Sequence, residues 1–77
     1  MQNFQVMNKD YEKILAIIKH EDNEQKHLDS ITNCILLFKS KFAFCKDTEE
    51  VLTFSARSLS IDEEYEKLKQ KIYGTKI

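Results

Sequence analysis

The chain has no proline and a single glycine, Gly74, in 77 residues. The missing prolines and glycines remove the usual residues for tight turns, bulges and phosphate-cradling loops, so what remains is read as helix. No sign of charge dominates either: 12 Lys and Arg face 13 Asp and Glu, a net charge of −1. The long-range field is therefore weak and gives no general attraction to nucleic acid or anionic lipid.

Long hydrophobic runs are absent too. The longest uncharged stretch, residues 30–38 (SITNCILLF), is about half of what a bilayer span needs. The first residues, MQNFQVMNKD, have neither the basic nor the apolar region of a secretory signal, and a cytoplasmic location is expected. Met7, just before a plausible cap at Asn8, offers an alternative translation start to Met1.

Apolar residues recur at helical spacing. Phe4, Met7, Tyr11, Ile14 and Ile18 line one side of a first helix, and a break is expected over residues 20–23, where Asp22 with Gln25 reads as a capping box. Leu28, Ile31, Ile35, Phe38, Phe42 and Cys45 make a second stripe, read as one continuous helix with a short strand near 42–45 as the competing local reading. Asp47 with Glu50 caps a third segment, in which Leu52, Ala56 and Leu59 share one face while Val51 and Phe54 turn elsewhere. Ser60 with Glu63 reads as a further cap before Ile61, Tyr65, Leu68 and Ile72, and Gly74 ends the chain's last helix. The expectation is an all-α single domain over residues 1–77, a small antiparallel bundle of about four short helices.

On a continuous second helix Cys34 and Cys45 would stand roughly 16 Å apart at ~1.5 Å per residue, beyond disulfide reach, so two reduced thiols are expected. His20, His27 and Cys34 lie seven residues apart, or roughly 10 Å along a helix, too far for one metal ion. Glu24 with His27 is better spaced, but reads as two solvated helix-end side chains. There is no HExxH, CxxC or glycine-rich phosphate loop and no nucleophile with an orienting partner, so neither enzyme activity nor a metal or cofactor is expected.

Two surface features stand out. Lys39, Lys41, Lys46 and Arg57 suggest a local basic patch, for which an acidic protein surface is a better match than DNA in a chain of near-neutral charge. Phe54, set nearly opposite Leu52, Ala56 and Leu59, is either wrapped by the bundle or left as an aromatic anchor. With Phe44, Val51 and Arg57 it forms the candidate partner-binding set.

Through its ILAII segment, its EEVL run and its EKLKQKIYG ending, the chain resembles the small cytoplasmic immunity proteins of lactic-acid-bacterial bacteriocins. The resemblance implies a short, charged, antiparallel helical bundle that antagonises another molecule, and it assigns no role to any residue. The function expected is a cytosolic regulator, inhibitor or adaptor that binds another protein sterically. A self-associating structural bundle is the alternative, and a nucleic-acid-binding regulator comes third.

Overall fold

A computed structural model describes residues 4–74, and all regular structure among those residues is helical, with no strand. Three α-helices follow one another: α1 (Phe4–Ile18), α2 (Leu28–Ser40) and α3 (Thr48–Tyr73). Short 3-10 turns at Gln25–His27 and Lys41–Phe44 lead into α2 and out of it.

The break after α1 falls where the sequence places it, but Asp22 is not the cap. Asn23 folds back so that its side-chain amide donates to the carbonyls of Ile17 at 2.6 Å, Ile18 at 3.1 Å and His20 at 3.2 Å, satisfying acceptors that a helix end leaves open. With Asn23 turned onto α1, the next turn starts one residue later, at extended Glu24, whose N–H donates to Nδ1 of His27 at 3.2 Å.

The second helix is shorter than its stripe suggests. It stops at Ser40, whose hydroxyl donates to the Leu37 carbonyl at 2.7 Å, and the next four residues tighten into the 3-10 turn. The short strand weighed for this stretch does not form. Cys45, in extended conformation, lies beyond the helix; Cys34 and Cys45 are both free, half-buried thiols.

The largest departure concerns the last part of the chain, where one helix of 26 residues replaces the expected third and fourth. Asp47 caps its start by accepting the Glu50 N–H at 2.9 Å, while Glu50 Oε1 accepts the Lys46 N–H at 2.8 Å. Gly74 ends it in the left-handed conformation at φ 74°, its N–H donating to the Gln70 carbonyl at 3.0 Å. Ser60 caps nothing. Its hydroxyl accepts from the Tyr11 hydroxyl of α1 at 3.3 Å, and neither proline nor glycine interrupts the helix around it.

The bundle runs up, down and up. Tyr11 meets Ser60, and Ile18 shares a surface pocket with Leu68, so α1 lies parallel to α3. Between α2 and α3, Thr32 meets Tyr65 and Lys39 meets Asp62, in antiparallel order. One core joins all three helices: Ile14 and Ile18 from α1, Leu28, Ile31, Ile35 and Phe38 from α2, and Phe54, Ile61 and Leu68 from α3. The side-chain placements expected for Phe4 and Met7 lie outside the described residues.

A candidate protein-docking groove

Phe54, Ile61 and Leu68 are spaced by seven, so in an unbroken α3 they form one inward stripe, with Tyr65 and Ile72 beside it. That phase turns Leu52 and Leu59 outward, 65% and 59% exposed, although the sequence reading has them share a core face with Ala56. Phe54, offered as an external anchor, is only 2% exposed. It is a core residue.

The other three candidates do not gather around it. Phe44 is exposed in the turn after α2, and half-buried Val51 lines a separate hollow of about 330 Å³ with Cys45, Lys46, Asp47 and Thr48. Arg57 leans to the α1 side of α3, its guanidinium 5.4 Å from the centre of the Tyr11 ring, a cation–π contact that holds the head in place. The four residues therefore form no single patch.

The basic cluster is likewise divided. Lys39 pairs with Asp62 on α3 at 2.9 Å, Lys41 pairs with Asp10 on α1, and Arg57 covers Tyr11, which leaves Lys46 apart near the α3 start. Such spacing and pairing give no continuous positive stripe for a phosphate backbone.

What the structure assembles instead is a groove of about 350 Å³ between the end of α2 and the outer shoulder of α3. Exposed Phe42 and Leu59 line it together with Ser55, Ser58 and buried Phe54. Phe42 and Phe54 lie 6.1 Å apart between ring centres, tilted by 55°. The Lys39–Asp62 ion pair joins the two sides, so the groove carries charge without an excess of either sign. Phe42 itself is 52% exposed because α2 has already ended: the 3-10 turn takes it off the inward stripe on which the sequence places it.

No protein-family model, curated protein or solved structure matches the chain. The groove's own chemistry is then what remains to be read. It can take an apolar side chain against an aromatic and an aliphatic one, with polar contacts at Ser55, Ser58, Lys39 and Asp62. Among the described residues no group of three or more His, Cys, Asp or Glu side chains is placed to hold a metal ion. The lone pairs on Nδ1 of His20 and His27 are already engaged, accepting the N–H groups of Asp22 at 3.1 Å and Glu24 at 3.2 Å. None of the described helices is long and apolar enough to cross a membrane.

Proposed function

We propose that this chain is a small cytosolic regulator, inhibitor or adaptor that binds another protein and acts by covering part of its surface. The observation that carries the reading is the pair Phe42 and Leu59, both more than half exposed and both lining one groove, in a bundle whose inner faces are otherwise well buried. Exposed apolar walls with a polar rim are the usual anatomy of a protein contact site. Ser55 and Ser58 add small polar side chains to the same groove. No bond is made or broken; binding is the activity.

Affinity capture from the native host tests this with three variants. Phe42→Asp and Leu59→Asp place a charge in the groove, whereas Leu37→Asp changes an equally exposed residue that borders Asp10 and Ile14 on the α1 side. Proteins retained by the wild type and by Leu37→Asp, but lost from both groove variants with unchanged melting, support the reading. Equal retention by all four chains would refute it.

A further inference from the structure

Where α1 ends beside the last turns of α3, residues from both segments line a hollow of about 190 Å³. Exposed Lys19, His20, Lys67 and Lys71 line it together with buried Ile18 and Leu68. One carboxylate belongs to it, that of Glu64, whose Oε2 pairs with Lys67 Nζ at 3.4 Å. Elsewhere in the fold Lys26, Lys39, Lys41 and Lys69 each stand against a carboxylate. Lys19 and Lys71 make no ion pair among the described residues, so positive charge collects at this one place in a chain whose net charge is −1.

Helix dipoles account for part of this. Two parallel helices bring two partly negative carboxyl ends together, and Lys19 and Lys71 suit them. Lys67 adds a third ammonium group one turn before Lys71, where like charges repel along a helix, and the single Glu64 cannot balance three lysines. We propose that the hollow binds a phosphoryl group. A phosphate monoester carries about −1.5 to −2 charges near neutral pH, which matches the excess of three lysines over one glutamate. Nδ1 of His20 accepts the Asp22 N–H at 3.1 Å, so the neutral ring carries its proton on Nε2 and adds a further donor to the lining. Ile18 and Leu68 put apolar protein rather than water behind the ammonium groups, which strengthens their attraction for an anion. The hollow shares no residue with the docking groove, and the inference goes beyond that reading and stands or falls apart from it.

Backbone amide shifts of the full chain, titrated at low salt with inorganic phosphate, pyrophosphate, phenyl phosphate and acetate, read the site directly. Phosphate should shift Lys19, His20, Lys67 and Lys71 saturably, pyrophosphate should bind more tightly, and acetate should bind at least about threefold more weakly. Phenyl phosphate binding as well as inorganic phosphate would give the site a phosphomonoester, whereas its exclusion would give it free phosphate or polyphosphate; both support the site. Lys19→Gln and Lys71→Gln should each weaken phosphate binding at least about threefold, with melting unchanged because both side chains are exposed. Lys46→Gln removes the same charge beside the start of α3, at the other end of that helix, and should bind like the wild type. Glu64→Gln should bind phosphate more tightly, because it frees Lys67 and takes away the one carboxylate in the lining. No saturable shift, acetate binding as well as phosphate, Lys46→Gln losing as much as Lys19→Gln, or Glu64→Gln binding no better than the wild type would each overturn the proposal.

Discussion

Phe38 of α2 and Phe54 of α3 stack face to face, ring centres 4.7 Å apart and planes 15° from parallel. Each is 2% exposed, and Tyr11 and Phe42 flank the stack at 6.4 Å and 6.1 Å. Phe54 is thus the point at which α3 is fastened to the end of α2. Phe54→Ala should cost ~3–5 kcal/mol, the transfer energy of a buried ring plus the cavity left behind. In a domain whose total stability is of order 5–15 kcal/mol, chemical denaturation will show this as loss of at least about a fifth of the whole. A denaturation midpoint within error of the wild type would remove Phe54 from the core.

Ser60 tests the continuity of α3. Proline there removes a helical N–H and clashes with the preceding turn, at ~3 kcal/mol or more, whereas a cap position between two helices would accept it with far less loss. Ser60→Pro should therefore lose helical ellipticity and melt much earlier. Ser60→Ala, which only removes the acceptor for Tyr11, should cost about 1 kcal/mol. Similar small effects from both would restore a break at this point.

The contrast between Ser60 and Asp47 shows how far the fold is legible in the sequence. Both begin a pattern of a short polar residue followed three positions later by glutamate, yet Asp47 follows an interruption of the helix and Ser60 sits within apolar periodicity that never lapses. The spacing of Phe54, Ile61 and Leu68 passes straight through Ser60, and reading it as one stripe turns Leu52 and Leu59 outward. Helix class, the break after α1, the Asp47 cap and the Gly74 cap are local signals, and they are legible. The groove is not, because it depends on where α2 ends. Nothing in KFAFC forbids another helical turn; the Ser40 and Cys45 backbone geometry that exposes Phe42 appears only in the assembled bundle.

Tyr65 holds a part-buried polar junction between α2 and α3. Its hydroxyl donates to the Leu28 carbonyl at 3.3 Å, and since it has one proton, the Thr32 hydroxyl must be the donor in their 2.5 Å contact. Tyr65→Phe and Thr32→Val should each destabilise by about 1 kcal/mol, and the double variant by less than the sum, because the two act in one network. Additive losses in a double-mutant cycle would mean the two hydroxyls are independent.

The last expectation concerns Cys45, whose thiol pKa is pushed above its ordinary value, first by burial and then by the negative charges of Glu50 and Asp47. Its sulfur is directed at the Glu50 carbonyl, 3.7 Å away. Because the thiolate is the reactive form, alkylation of Cys45 in the folded chain should have its pH midpoint above that of the same cysteine in urea. Glu50→Gln should move that midpoint down, and Asp47→Asn should do so by less while keeping a side chain able to cap α3. The folded state holds this proton more tightly than the unfolded state does. The resulting contribution to stability is therefore complete below the unfolded thiol's pKa and is lost as pH rises from there through the folded value. Cys45→Ser should accordingly lose less stability than the wild type across that alkaline window, which isolates the thiol from the tyrosines and lysines titrating nearby. Equal alkylation midpoints for folded and unfolded chains would show that neither burial nor the two carboxylates reach the sulfur.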